Sequence, residues 1–251
     1  MNITAPLVVH EYGEIFDQRG SLYHDAMLSC PTARDAEFSS LFAKAPLKVG
    51  ECLVDVPSGG GYLEAFLKRK MPGTTPSVHN FELTSGFGAK STVVSLNSPW
   101  PIAAKSADRV VCLAAVHHIQ DLSPLYSNVE SALKSGGVFH LADVAPGSGV
   151  QAFLETFVDR HTPGGHRGFY RDFFAQVVPP RFDLIDVSRR ACPWTFESVD
   201  QMLSFCAGLF GLQTCSKAEL EVALRDCIGV NVHSSGVSLS WELAYLDMQL
   251  K

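Results

Sequence analysis

Residues Leu53 to Gly61 read L-V-D-V-P-S-G-G-G, and Tyr62-Leu-Glu-Ala-Phe-Leu-Lys68 follows at once. An apolar run with an acidic end that passes into glycine and then into helical spacing predicts strand, tight loop and helix. Glycine has no Cβ and tolerates positive φ, so such a loop brings bare N–H groups close to a ligand. Counted from Gly59, the dinucleotide fingerprint Gly-x-Gly-x-x-Gly is met at Gly61 and fails at Glu64. A carboxylate in the first helical turn also opposes a diphosphate at the positive end of the helix dipole, which disfavours NAD or FAD.

Outward from the loop, the helix from Tyr62 stops before Met71-Pro-Gly73. A second strand follows in Ser77–Glu82 and a third in Thr92–Leu96. Glu82 is the acid that a ribose-binding α/β domain places at the carboxyl end of its second strand, and the Pro- and Gly-rich connector 71–76 absorbs the extra length. Ala107–Ala115 is a continuous apolar run, the mark of a buried parallel fourth strand. Ser123-Pro124 opens a helix with Leu125, Val129 and Leu133 on one face, closed by Gly136-Gly137. Val138–Asp143 is strand five. Short links of this kind build one doubly wound sheet, whose ligands bind at the carboxyl ends of the strands. Asp55, Glu82, Asn97, His117, His118 and Asp143 all fall there.

Aligned on Asp55, the glycine stretch resembles motif I of the class I S-adenosylmethionine-dependent methyltransferases, acidic-x-Gly-x-Gly-x-Gly, with Asp55, Gly59 and Gly61 in register. Pro57 replaces the first glycine, which removes one amide from the loop. Val116-His-His-Ile-Gln-Asp-Leu122 resembles the family's segment after strand four, where a His-His or similar pair sits against the sulfonium. Leu133-Lys-Ser-Gly-Gly resembles its Leu-Lys-Pro-Gly-Gly turn. The resemblance implies a Rossmann-like seven-stranded sheet in a single domain, with a helical N-terminal lid (1–48), a cofactor core (50–145), substrate-side elements with a helical insertion (146–236) and an antiparallel last strand (237–251). It implies S-adenosylmethionine as cofactor, held by Asp55, Pro57, Gly59, Gly61, Glu82, Leu83, Asn97, Ser98, Ala114 and Ala115. Arg19–Asp25 resembles the Tyr-bearing segment that covers the methionine end, which adds Tyr23. Asn97 stands in for the Asp that meets the adenine, since an amide both donates and accepts. Asn97-Ser-Pro-Trp100 also looks like the Asn-Pro-Pro-Tyr grip of amino-methyltransferases, but it precedes strand four where that motif follows it.

Methyl transfer needs approach geometry, a dry pocket and a base where the nucleophile carries a proton. His117, His118 and His166 are the candidate bases, and Asp143, His161, Arg167 and Tyr170 the candidate substrate contacts. His140, inside strand five, reads as a core residue. No metal is expected: His161 and His166 lack a rigid ligand spacing with nearby carboxylates, and the Asp-Asn dipeptide of catechol-type methyltransferases does not occur. Phe169, Tyr170, Phe173 and Phe174 read as core on spacing. In 198–219, Ser198-x-x-Gln201 and Ser216-x-x-Glu219 are capping boxes that start helices.

At 251 residues with 46% hydrophobic and 18% charged residues the chain is globular. A net charge of −6 argues against a nucleic-acid grip and for a small-molecule partner. The seven cysteines show no C-x-x-C pair and read as free thiols of a reducing cytosol; the N-terminus lacks a signal-peptide pattern and no run reaches membrane-span length, so a cytoplasmic protein is expected. A homodimer is compatible with these features. The expectation is methylation of a small, aromatic or carboxylate-bearing metabolite. Two alternatives are cyclisation, elimination or decarboxylation with the same cofactor, and a non-catalytic partner subunit on the same fold.

Overall fold

The computed structural model describes residues 11–88 and 90–251. The apolar runs become β1 (Cys52–Asp55), β2 (Ser77–Glu82), β3 (Thr92–Val93), β4 (Ala107–Leu113) and β5 (Leu133–Asp143), followed by β6 (Phe182–Ala191), β7 (Trp194–Phe196), β8 (Val230–His233), β9 (Gly236–Leu239) and β10 (Glu242–Leu250). Seven of them form one sheet in the order β3-β2-β1-β4-β5-β10-β6. It is parallel from β3 to β5, and β10 runs antiparallel to both of its neighbours. This is the doubly wound seven-stranded sheet expected above.

The period of two along each strand fills both faces. Leu53, Val111 and Ala142 enter one core, and their neighbours Val54, Val110 and Leu141 enter the other. The helices are α1 (Tyr12–Ser29), α2 (Asp35–Leu41), α3 (Tyr62–Lys70), α4 (Ser123–Ala132), α5 (Gly149–Phe153), α6 (Asp159–His161), α7 (Val199–Phe210) and α8 (Lys217–Cys227), with a π-helical turn, Leu154–Val158, joining α5 to α6. Leu125 and Val129 pack α4 against one face, and Leu63, Phe66 and Leu67 pack α3 against the other. Ser216 and Glu219 form the expected capping box; Ser198 caps α7 alone, because the Gln201 side chain turns to the Glu197 amide instead. Residues 1–10 of the expected lid lie outside the described residues, and no described helix is long and apolar enough to cross a membrane.

Three boundaries differ from expectation. Thr92–Leu96 pairs over two residues only. Leu133, expected on the helix, instead opens β5 by pairing with Ala107, and the register shifts before Arg109 so that Lys134–Gly137 stays in the strand. The expected last strand 237–251 is divided: Val237–Leu239 joins β7 and β8 in a separate three-stranded sheet, and the antiparallel strand is β10. The division has a packing cause. Ser240 and Trp241 turn the chain, and the Trp241 ring stacks on Trp194 of β7 at 4.0 Å.

One buried ion pair ties these parts together. Arg34 donates to Glu37 through Nε at 2.8 Å and through a second nitrogen, and also to the Tyr23 hydroxyl. Glu37, fully buried, accepts from Trp194 Nε1 at 2.7 Å, and its carbonyl accepts from the Tyr245 hydroxyl. Burial is the largest single influence on Arg34 and pushes it down, but Glu37 and Tyr23 together outweigh it and the net shift is upward. Glu37→Gln therefore leaves a desolvated guanidinium with a weakened partner. The expected loss is about 3–5 kcal/mol of unfolding free energy in urea titrations; a loss below about 1 kcal/mol would show that the pair is dispensable.

Candidate active site

The glycine loop bends as the sequence requires. Gly59 and Gly61 take φ of 56° and 75°, and a Cβ on Gly60 would stand 2.5 Å from His24 Nδ1. Pro57 follows a cis peptide and keeps its place in the loop. A cradle opens above it, lined by Asp55, Pro57, Gly59, Tyr62, Ala114 and Ala115, with Tyr12, Phe16, Tyr23 and Phe87 across from them. Ala114 holds φ of 51°, a conformation uncommon for a residue with a side chain, at the carboxyl end of β4.

Two acids stand at the cradle, Asp55 in its lining and Glu82 behind Gly59 and Tyr12. The Asp55 carboxyl is buried and makes no hydrogen bond among the described residues; burial pushes it well up, with Glu82 and Glu64 adding to the shift. Glu82 accepts from the Gly59 amide at 2.6 Å, the Leu83 amide at 2.7 Å and the Tyr12 hydroxyl at 3.3 Å. Burial still raises it to about 7. Two buried carboxylates suit a ligand with cationic groups and hydroxyls and repel one that carries phosphates. Leu83 and Asn97 line a neighbouring groove with Tyr12, Val94, Leu96 and Ile119.

A second chamber shares Phe16, Tyr23, Arg34 and Ala114 with the cradle. Its far wall is apolar: Val144, Leu154, Trp194, Leu209, Phe210, Trp241 and Leu243. Its near wall carries His117, His118 and His166, all buried. Asp143 orders the first of these, accepting from the His117 amide at 2.8 Å and lying 2.6 Å from its Nδ1. The His117–His118 ring centroids are 4.0 Å apart and the His118–His166 centroids 4.9 Å. Nδ1 of His118 and Nδ1 of His166 are buried without a hydrogen-bond partner among the described residues. Burial pushes both well down, and the neighbouring imidazoles add to it, so these two rings are neutral near pH 7.

The backbone explains how His166 arrives there. Pro163-Gly164-Gly165 turns with positive φ at both glycines, and the His166 amide is held by Asp159 at 2.9 Å. Gly168 permits a close approach: a Cβ there would lie 3.0 Å from the His117 carbonyl, which accepts from Phe169 at 2.6 Å. Arg171 locks the same turn by donating to the carbonyls of Val116, Ile119 and Gln120. Tyr170 stacks on His117 with planes 6° apart.

Several residues read from the sequence stand elsewhere. His161 faces outward to Thr214 at 3.0 Å, and Arg167 pairs with Asp159 at 2.9 Å. Asp143 is spent on His117 and the Val144 amide, so it positions an imidazole and does not face the chamber. Gly61 lines the outer side of its loop with Met27 and Glu64, and Ser98 is exposed. His140 is a core residue, 2.8 Å from Asp247. Among the residues the sequence did not reveal are two arginines. Arg19, in the chamber wall, is 8% exposed, donates only to the Phe210 carbonyl at 3.1 Å and has no carboxylate partner among the described residues. Burial pushes it down to about 10, so it stays charged at neutral pH. The other is Arg171, which stands behind the histidines and donates to the nearby Phe169 carbonyl and to three carbonyls distant in sequence. An arginine within helical spacing carries no mark of either role.

Residues 55–141 match a family model described as a methyltransferase domain. The match takes in only part of the chain, residues 55–141 of 251. The fold is that of the class I S-adenosylmethionine-dependent methyltransferases, with their Rossmann-like seven-stranded sheet. Solved structures agree on the fold. A candidate methyltransferase from Bacillus halodurans C-125 is 18% identical, with 85% of this chain and 98% of that chain covered and a TM-score of 0.54. The (4+2)-cyclase SpnF is 12% identical, covers 98% of this chain and 99% of its own, and has a TM-score of 0.61. Geranyl diphosphate C-methyltransferase from Streptomyces coelicolor A3(2), solved with Mg2+, geranyl diphosphate and S-adenosyl-L-homocysteine, is 13% identical over 86% of this chain and 79% of its own, with a TM-score of 0.52. Among curated protein sequences none matches this chain significantly.

S-adenosylmethionine, the cofactor that this fold implies, carries an ammonium, a sulfonium and two ribose hydroxyls, groups that suit the buried acids Asp55 and Glu82. Glu82 is charged above about pH 7 and neutral below it. Cofactor affinity in calorimetry is therefore expected to fall severalfold from pH 8 to pH 6, and Glu82→Gln to flatten the change. Glu82→Ala is expected to weaken binding by roughly 1–3 kcal/mol. An unchanged dissociation constant in both variants would remove Glu82 from the site.

Proposed function

We propose that this protein is an S-adenosylmethionine-dependent methyltransferase whose acceptor is a small, flat metabolite carrying an anionic group. The observation that carries this reading is the shared wall of the two chambers at Phe16, Tyr23, Arg34 and Ala114. A group leaving the cradle enters the aromatic chamber directly, where the titratable side chains among the described lining residues are the histidine cluster, Arg19, Tyr23 and the Arg34–Glu37 pair.

Bound S-adenosylmethionine supplies a methyl group on a sulfonium. The chain supplies the rest. Asp55 and Glu82 bind the cofactor's cationic and hydroxyl groups, Gly59 and Pro57 shape the loop, and Leu83 and Asn97 border the groove suited to the adenine. Trp194, Trp241 and Phe210 orient a planar acceptor and exclude water. Arg19, a guanidinium without an acidic partner, meets a carboxylate or phenolate of the acceptor. The acceptor's proton leaves toward the imidazole cluster of His117, His118 and His166, where Asp143 holds the His117 ring in one orientation.

The decisive assay offers the protein methyl-labelled cofactor and extracts of small metabolites. Label is expected in an anionic aromatic product, with S-adenosylhomocysteine formed in equal amount. Products without the label, formed only when cofactor is present, would replace transfer by a cofactor-assisted rearrangement. No turnover with any extract would leave the reading without support. Once an acceptor is in hand, Arg19→Met is expected to raise its KM about 10–100-fold, the worth of a hydrogen bond to a charged group, with the cofactor's dissociation constant unchanged.

A further inference from the structure

We propose that His117, His118 and His166 form a binding site for one divalent transition-metal ion, with open coordination positions turned to the aromatic chamber. One ring nitrogen from each residue lies within 4.8 Å of the other two, and all three residues are buried. Around a tetrahedral ion with bonds of 2.0–2.1 Å such nitrogens sit about 3.3 Å apart, so ring rotations and shifts of about an ångström close the set.

Three independent features point to an ion. First, the two orphaned ring nitrogens of His118 and His166 are buried donors or acceptors with nothing to satisfy them, a cost of about 1–3 kcal/mol each that packing alone does not explain. Second, His117 has the arrangement of a metal-bound imidazole: one nitrogen sits 2.6 Å from the Asp143 carboxylate, which fixes the tautomer and leaves the other nitrogen free. Third, the two chain segments are bolted together by Phe169 on the His117 carbonyl and by Arg171 on three others, so the distance between the ligands is set by backbone. Among the described residues no carboxylate joins the set. Three neutral nitrogens suit zinc, iron, cobalt or nickel and not magnesium or calcium.

The charge of the wall limits the site in a useful way. Arg19 lines the same chamber, and its cation opposes the ion until an anion lies between them. An acceptor with a carboxylate or phenolate beside a second oxygen would bridge the two. In that state the ion would lower the pKa of the bound hydroxyl, whose proton would pass to water, and the three imidazoles would serve as ligands in place of bases. This last use rests on the methyl-transfer reading; the binding of an ion does not.

The test uses the full chain without an affinity tag, stripped with chelator and titrated with Co2+ alone and Zn2+ alone, with no cofactor present. One equivalent of Co2+ is expected to bind with the visible absorption of a tetrahedral or five-coordinate nitrogen site, to be displaced by Zn2+, and to raise the melting temperature of the wild-type chain. His118→Ala and His166→Gln are expected to abolish the absorption, and Asp143→Asn to weaken affinity about 10–100-fold while circular dichroism is retained. Absence of both the absorption and the melting shift in the wild-type chain overturns the proposal without recourse to any variant. So does binding that survives His118→Ala and His166→Gln together, which would place the ion elsewhere. Calorimetry of S-adenosylmethionine in the presence of chelator separates the two readings: cofactor binding without metal binding sinks only the ion, and the reverse sinks only the methyltransferase.

Discussion

The Arg34–Glu37 pair sits where the three parts of the chain meet, and its burial constrains all of them. A guanidinium and a carboxylate out of water are tolerable only with every remaining donor and acceptor matched. Tyr23 from α1, Trp194 from the small sheet and Tyr245 from β10 provide those matches. The Arg34 guanidinium also lies over the Trp194 ring, 5.4 Å from its centroid. Tyr23 and Arg34 of this network also line the shared wall of the two chambers, so the contacts that hold α1 and α2 to the rest of the chain also shape the passage between the chambers. Stability and site geometry are set by one group of side chains.

Much of the core could be read because local chemistry alone fixes it. The boundaries of β2 and α3 follow from Met71-Pro-Gly73 and from the acid that ends the strand, and both are as expected. Asp55, Gly59, Glu82 and the His117-His118 pair sit at strand ends in a sheet whose order is dictated by short right-handed links. The misreadings arise where two signals of the same kind abut. Alternation through 237–245 is the same on both sides of the Ser240-Trp241 turn, and period alone does not reveal that β9 belongs to one sheet and β10 to another. Leu133 continues a helical stripe and also opens a strand, and pairing with Ala107 decides between them.

The chamber was less legible because its residues converge from far apart. His161 and His166 are equivalent in sequence, five residues apart around Pro-Gly-Gly, yet the two positive-φ glycines send His166 inward and leave His161 at the surface. Asp143 was expected to meet the substrate because it ends a strand; the turn after β4 claims its carboxylate first. Arg19 could not be separated from a surface arginine until α7 closed over it, when its nearest acceptor proved to be the carbonyl of Phe210, 191 residues away.

The seating of α1 also bears on how tightly the cradle holds a ligand. Tyr12 donates to Glu82, and Phe16, Tyr23 and Phe87 pack against one another across the cradle with ring centroids 5.1–5.9 Å apart. The helix that carries them is seated backbone to backbone: a Cβ on Gly86 would stand 1.9 Å from the Phe16 carbonyl, and one on Gly20 would stand 2.5 Å from the Gly86 carbonyl. Such a contact has no gradual alternative, because any sliding loses the close approach at both glycines. A ligand that reaches Glu82 has to displace Tyr12 from it and part the aromatic rings, so the free energy of the seated helix is subtracted from its affinity. What it meets in return is a carboxyl group already desolvated and already oriented by the amides of Gly59 and Leu83, with the Tyr12 phenol at 3.3 Å as the partner to be replaced.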